Sequence, residues 1–405
     1  MSFLRESDAI FVRNLFKKFY HERSGELFIP NRLSEREFGY FPFGDKMMVR
    51  HLSFSSSKEL RDLVSQKTPL HIYHSAALYK YPRAPMEEKG WIGAELIFDI
   101  DADHLKTPCK KGHDFKICKK CLTEYPVEFD YCTECGGQLE KVEWVCEKCL
   151  ESARNEARKL LDILEGDFGF GEIHLAFSGN RGYHVVVKDR EILDLGQSQR
   201  KEIVDYIVGT GLDARVLGLD GRKMDLSYAP ELGDPGWRGR IARSALEILM
   251  TLDAEALHEL TGDKRAYQVV EELKSIDKGW SEKPPWNLLR RSTRMFLIEA
   301  AKEYAASHID VVVTQDVHRL IRLGNSLNGK TGLMAKVFDP DDLDNFDPTR
   351  NPVALPMDEE IHVRVIRSNE LRLAGFELPS KRKEILELPL AVAALLLCRG
   401  VATLP

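Results

Sequence analysis

Residues Trp91–Asp103 read WIGAELIFDIDAD, and this stretch decides the fold class. From Glu95 to Asp101 the side chains alternate, Leu96, Phe98 and Ile100 to one side and Ile97, Asp99 and Asp101 to the other. The pattern predicts a strand that carries two carboxylates next to each other on one face. Asp-x-Asp is common where strand ends meet water. Here the residues before Asp99 are strongly apolar, which puts the acids at the end of a buried strand, a setting in which Mg2+ or Mn2+ sites are built. Neighbouring carboxylates ionise together comfortably only when a cation joins them.

Ile309–Val313, within a predicted strand His308–Thr314, is expected to supply a third acid, Asp310. Such a set can hold one or two divalent ions, which activate a hydroxyl oxygen and stabilise an in-line displacement at phosphorus. Asp103 falls past the strand end and reads as a turn residue.

Working outward, apolar spacing predicts a helix over Phe3–Tyr20, with Phe11, Leu15, Phe16 and Phe19 on its stripe. Met47–Phe54 and Leu70–Tyr79 read as strands and Lys58–Ser65 as a short helix. Glu147–Leu164 has a long apolar stripe and reads as a helix. Glu172–Phe177 and Tyr183–Lys188 flank Ser178-Gly179-Asn180-Arg181-Gly182 and predict a hairpin. The chain from about Ser198 to Ala301 is mostly helical in pattern, broken at Gly233–Gly239 and Lys283–Trp286. Asp316–Leu323 is expected to be helical, Ile361–Ile366 a strand, and Arg382–Leu386 the start of a final helical region. Leu388–Cys398 is too short to span a bilayer and contains Pro389, so it reads as a buried helix.

Phosphate-binding chemistry clusters in two places. On the hairpin, Ser178, Arg181 and His184 surround glycines that let a backbone approach phosphate closely. The turn alone is also explained as an ordinary exposed hairpin. Further on, Arg319 and Arg322 are expected to share a helix face. The following Gly324–Gly332 contains Gly-Lys-Thr, but Gly324 is read as one position off the P-loop spacing and the segment is expected to trail a helix instead of leading from a strand into one, so it is not read as a P-loop.

Seven of the eight cysteines lie between Cys109 and Cys149. With His113 they make two sets of four ligands, and the three Cys-x-x-Cys pairs predict zinc rather than disulfides. A sequential pairing would divide them at Cys121. A nested pairing joins Cys109, His113, Cys146 and Cys149 around an inserted Cys118, Cys121, Cys132 and Cys135, and the nested form is favoured. Both sites are expected to be structural, because all four positions of each are filled.

With 405 residues and 43% hydrophobic content the chain can bury a substantial core. The net charge of -6 does not mark a nucleic-acid binder, though local basic patches decide that property. No signal peptide or spanning segment is read, so a soluble, cytoplasmic, nucleoid-associated protein is expected.

Taken in order, Trp91–Asp103, Ser178-Gly179-Asn180-Arg181-Gly182-Tyr183-His184 and Ile309-Asp310 with Arg319-Leu320-Ile321-Arg322 resemble three motifs of the small, catalytic subunit of archaeal and eukaryotic DNA primases, closer to the archaeal members. Arg36–Tyr40 and Arg50-His51 also look like family sequence. The resemblance implies an α/β (α+β) catalytic domain over 1–190 and 301–405, a zinc-binding insertion at 105–150, and a mostly helical subdomain at 191–300. It implies Asp99, Asp101 and Asp310 as ligands of Mg2+ or Mn2+. Ser178, Arg181 and His184 would bind triphosphate, with Arg319 and Arg322 beside it. Val145–Leu150 looks like the end of the single zinc site of simpler archaeal relatives. The activity implied is template-directed synthesis of short RNA or DNA primers from nucleoside triphosphates on single-stranded DNA. A large subunit carrying an iron–sulfur cluster is the implied partner. This chain departs from the family at Asn328, where His is usual, and weaker triphosphate binding is expected from that change. Two other readings are a primer-extending repair polymerase of the same superfamily and a non-catalytic zinc-ribbon protein that binds nucleic acid.

Overall fold

Alternation in the decisive stretch produces the expected strand, Leu96–Asp101, whose Leu96, Phe98 and Ile100 are fully buried. The computed structural model describes residues 5–220, 228–274, 284 and 286–405. It divides into two compact units. The first takes in the chain up to Ala157 with Glu172–Arg200 and Ile309–Pro405, and the second Arg158–Gly171 and Lys201–His308.

In the first unit, Leu96–Asp101 is the edge of a four-stranded sheet ordered Val337–Phe338, Ile173–Phe177, Gly182–Val187, Leu96–Asp101. Every neighbouring pair is antiparallel, and Asp99 lies opposite His184. The hairpin is the one the sequence predicts. Gly182 must be glycine, because a Cβ there would overlap the Ile100 carbonyl oxygen.

A second antiparallel sheet runs Leu320–Arg322, His71–Ser75, Phe38–Phe41, Val49–Leu52. Ala76, Ile97, Val313 and Ile321 pack together between the sheets. The stretch Leu70–Tyr79 is therefore two strands, because the chain leaves this sheet at Ala76 and Ala77–Tyr79 pairs with Trp91–Ala94. Buried Arg36 joins the sheets by a two-pronged ion pair with Glu95, at 3.1 and 2.5 Å.

Three other expectations are corrected. Val311–Gln315 is a short helix, not a strand, because the Asp310 carboxylate caps it, accepting from the amides of Val312 and Val313 at 3.0 and 3.3 Å. The cap outweighs the strand preference of three consecutive valines. Leu320–Arg322 is a strand, not part of a helix, because it completes a sheet edge against His71–Ser75. Lys381–Pro389 is likewise a strand, paired along nearly its whole length with Glu360–Ser368. The helix comes after it, over Leu390–Cys398, and all of its residues are buried.

The first helix is Glu6–Arg23, with Val12, Phe16, Phe19 and Tyr20 buried; Phe3, where it was expected to begin, lies outside the described residues. Ser57–Lys67 is the helix expected after the serine run. Between Asp101 and the helix Glu147–Gly166, the cysteine segment forms a three-stranded ribbon of Glu124–Tyr125, Phe115–Cys118 and Leu139–Val142.

The second unit is helical among its described residues. Gly236–Thr251 and Arg291–Ala305 share a core that includes Ile241, Ala245, Leu297 and Ala301. Ala254–Thr261 and Arg265–Lys274 add to it. Arg240 ties two carboxylates here, Asp162 and Asp167. Of the predicted break Lys283–Trp286, Lys283 and Pro285 lie outside the described residues.

Candidate active site

The open end of the Leu96–Asp101 strand meets the end of Leu320–Arg322 at a cavity of about 220 Å³. Asp99 and Asp101 line one wall, as their shared face requires. Arg319, Arg322, His184 and Lys330 line it as well, with Ser178 and Asn328 between. Carboxylates and cations therefore share one small chamber. A larger cavity of about 390 Å³ opens beside Cys109 and Cys146, but Trp144, Leu333, Leu371 and Leu395 line much of it. Charge arrangement, not size, picks out the smaller one.

Asp99 is held above the usual carboxylate range, first by burial and further by Asp101 and Asp310, although His184 and Arg319 act the other way. The His184 Nε2 atom lies 3.6 Å from Asp99, and burial holds the ring below the usual histidine range despite that neighbour. Asp310 arrives differently from expectation. It stands at a helix start, and its amide donates to the Asp99 carbonyl at 2.9 Å. The three acids are neighbours, yet their oxygens are not all within 4.8 Å of one another.

The hairpin residues divide. Ser178 and His184 face the cavity, whereas Arg181 is buried away from it. Its guanidinium meets Asp101 at 2.9 Å, Glu143 at 2.8 Å, and Asp103. Asp103 is the turn residue expected, and it is also an anchor for Arg181. Ser178 Oγ accepts from the amides of Asn180 and Gly182 at 3.3 and 3.2 Å, which shapes the turn.

Arg319 and Arg322 reach the cavity from a turn and a strand, not from one helix face. Arg322 donates to Tyr73 Oη at 3.3 Å and to His71 Nδ1, and lies over the Tyr73 ring. Asn328 is a brace. Its Nδ2 donates to the Ser178 carbonyl and its Oδ1 accepts from the Lys330 amide, both at 2.9 Å.

Lys330, Tyr73 and Glu143 escaped the sequence reading. Lys330 had a signal in the Gly-Lys-Thr run. The spacing from Gly324 through Thr331 is in fact that of a P-loop. The segment follows a strand and then leads to another, Val337–Phe338, so no helix start receives phosphate there. Tyr73 and Glu143 carry no local signal, since strand pairing and ribbon closure bring them in.

The cysteine segment gathers as the nested pairing predicts. Cys109, His113, Cys146 and Cys149 form one group and Cys118, Cys121, Cys132 and Cys135 another, each with its ligand atoms within 4.8 Å. Sulfur pairs stand 3.5 to 3.7 Å apart. Tetrahedral Zn–S bonds of about 2.3 Å would place sulfurs roughly 3.8 Å apart, so the sulfur-rich donor sets fit zinc.

A mixed helix-and-sheet domain with neighbouring acids and facing cations defines a class, the enzymes of phosphoryl and nucleotidyl transfer. Comparison with known proteins narrows it. Residues 98–340 match the family model for the DNA primase small subunit. The DNA primase small subunit PriS of Cenarchaeum symbiosum is 33% identical, covering 99% of this chain and 100% of its own. That of Methanothrix thermoacetophila is 36% identical, covering 98% of this chain and 99% of its own. That of Archaeoglobus fulgidus is 33% identical, covering 97% and 98%. Among solved structures, the polymerase domain from Mycobacterium tuberculosis Ligase D in complex with DNA aligns over 83% of each chain at 12% identity and a TM-score of 0.33. The chain belongs to the DNA primase small subunit family. It is a DNA-directed nucleotidyltransferase of replication. Among the described residues no helix is long and apolar enough to cross a membrane.

Proposed function

We propose that the cavity binds a nucleoside triphosphate and joins it to a nucleotide paired on single-stranded DNA, making short RNA or DNA primers. The observation that carries this reading is the meeting of Asp99 and Asp101 with Arg319, Arg322 and Lys330 in one chamber. Asp99, Asp101 and Asp310 would hold Mg2+ or Mn2+. The fit rests on hard oxygen donors and on the burial, with neighbouring Asp101 and Asp310, that holds Asp99 above its usual range. Bound there, such a cation would activate the attacking hydroxyl and offset negative charge on the phosphate oxygens.

The chain's own residues do the rest. Arg319, Arg322 and Lys330 attract and orient the triphosphate. Ser178 and His184 supply short-range donors from the hairpin, and Asn328 keeps Ser178 and Lys330 in register. Arg181 holds Asp101 and so acts one step behind the phosphate. The two cysteine-rich groups hold zinc and fix the ribbon. The partner is the primase large subunit, joined as a heterodimer.

The test is primer synthesis on a single-stranded template with labelled nucleoside triphosphates and Mg2+ or Mn2+, with and without the large subunit. Wild type is expected to make products de novo, and D99A and D101A none, while both remain folded. Extension of a supplied primer without de novo products, even with the large subunit present, would replace this reading by that of an extending polymerase. Incorporation by D101A equal to wild type would refute the assignment of the acids.

A further inference from the structure

The cysteine segment does more than interrupt the chain. Asp114 and Glu143 flank the paired residues Phe115 and Val142, so they leave the ribbon from adjacent positions on its two main strands. A line of charged side chains runs through them. His113, whose Nε2 lies 3.3 Å from Cys149 Sγ, turns its Nδ1 to Asp114 at 2.9 Å. Asp114 meets Lys141 at 3.2 Å, and Lys141 meets Glu143 at 3.5 Å. Glu143 accepts from Arg181 at 2.8 Å, and Arg181 stands 2.9 Å from Asp101.

The links differ in strength. Arg181 and Asp114 are nearly buried, with side chains 5% and 8% exposed, whereas Lys141 is 45% exposed. The ion pairs at Lys141 are therefore weak, and the backbone ladder between Phe115–Cys118 and Leu139–Val142 bears most of the connection there. Arg399 secures the far end, donating to the Glu143 carbonyl at 3.0 Å and to Asn180 Oδ1 at 3.2 Å. A carboxylate on the outer nitrogen of a metal-binding histidine sets its orientation, and here that carboxylate begins a path to the active site.

We infer that Glu143 is a positioning residue for primer synthesis, which holds Arg181 against Asp101 and couples the Cys109–His113–Cys146–Cys149 group to the catalytic carboxylates. Coupled sites of this kind shift affinity by about 5- to 150-fold. The inference rests on the reading of Asp101 as a metal ligand. Its readout is Mn2+ affinity without nucleotide, followed by electron paramagnetic resonance on the full chain, together with zinc content. Wild type is compared with E143Q, E143D, D114N, E143Q/D114N and D101N.

E143Q is expected to bind Mn2+ about tenfold more weakly while retaining the wild-type zinc content. E143D, which keeps the charge, is expected to recover part of the loss. D114N, which leaves the four ligands in place, is expected to weaken Mn2+ less than E143Q. The double variant should be no weaker than E143Q, because both changes interrupt one path. Wild-type Mn2+ affinity in E143Q would overturn the inference, as would strictly additive losses in the double variant. Undiminished binding by D101N would instead remove the metal reading of Asp101, and the inference with it.

Discussion

Replacing Glu95 by Ala breaks the ion pair that joins the two sheets next to the strand Leu96–Asp101. Arg36 is 1% exposed and its partner 5%. The Arg36 guanidinium has the two Glu95 oxygens at 3.1 and 2.5 Å, the Asn31 carbonyl at 2.7 Å and the Ser75 carbonyl at 2.8 Å. Without Glu95 the carbonyls remain but no negative charge does, and a buried guanidinium left in that state costs about 3–5 kcal/mol. The buried Arg200 guanidinium donates to the backbone carbonyls of Glu95 and Ala94 at 3.0 and 2.7 Å, and these bonds survive the substitution. At an m-value of about 2.5 kcal/mol/M the urea midpoint of this unit falls by roughly 1–2 M. Hydrogen exchange read on peptides covering Leu96–Asp101 separates this loss from events in the helical unit. The companion variant R36M/E95L removes both charges together and is expected to recover more than half of the loss, because desolvation offsets most of what a buried pair gains. A cost below about 1 kcal/mol for E95A, or a double variant less stable than E95A, would refute the reasoning.

Three further outcomes are expected. N328H places a donor able to carry charge in the cavity proposed for the triphosphate and should tighten nucleotide binding roughly fivefold in equilibrium titration, despite giving up the Asn328 amide's bonds to Ser178 and Lys330; unchanged affinity would remove the idea that Asn328 weakens it. G182A should cost about 3 kcal/mol in urea unfolding, because a Cβ must displace the Ile100 carbonyl. G179A, at a φ of +75° and with Asn328 Cβ and the Leu333 carbonyl 3.0 and 3.1 Å from the added methyl, should cost less, about 2 kcal/mol, and the reverse ranking would contradict the hairpin packing. The third concerns acid. Burial lowers His74 to about 3, so on acidification the unfolded chain takes up a proton that the folded chain refuses. The stability is complete above the ordinary histidine range near 6.5 and is lost as pH falls from there toward 3, by up to about 1.4 kcal/mol per pH unit. H74Q should flatten the stability profile between about pH 6.5 and 5 by up to about 2 kcal/mol, and an unchanged slope would show that His74 is not the group responsible.

The sequence by itself was enough for the strand Leu96–Asp101, the hairpin over Ile173–Val187, the helix Glu147–Gly166 and the nested cysteine groups. These are local properties: two-residue alternation, glycines within a turn, a long apolar stripe, and Cys-x-x-Cys spacing each act within a few residues. Asp99, Asp101, Ser178, His184, Arg319, Arg322 and Asn328 were all named from sequence and all line one cavity. Tertiary structure alone decided how several of them are presented. Asp316–Leu323 has helical spacing, but an unfilled edge beside His71–Ser75 draws Leu320–Arg322 into a sheet. Asp310 lies before valines that favour a strand, yet its carboxylate satisfies two amides and starts a helix. Arg181 looks like a phosphate ligand by type, but burial commits it to Asp101, Asp103 and Glu143. Glu143 could not be found from its own neighbourhood, because only closure of the ribbon carries it to Arg181 and the strand Leu96–Asp101. A side chain's chemistry is written in the sequence, whereas its partners depend on which distant strands complete one another's hydrogen bonds.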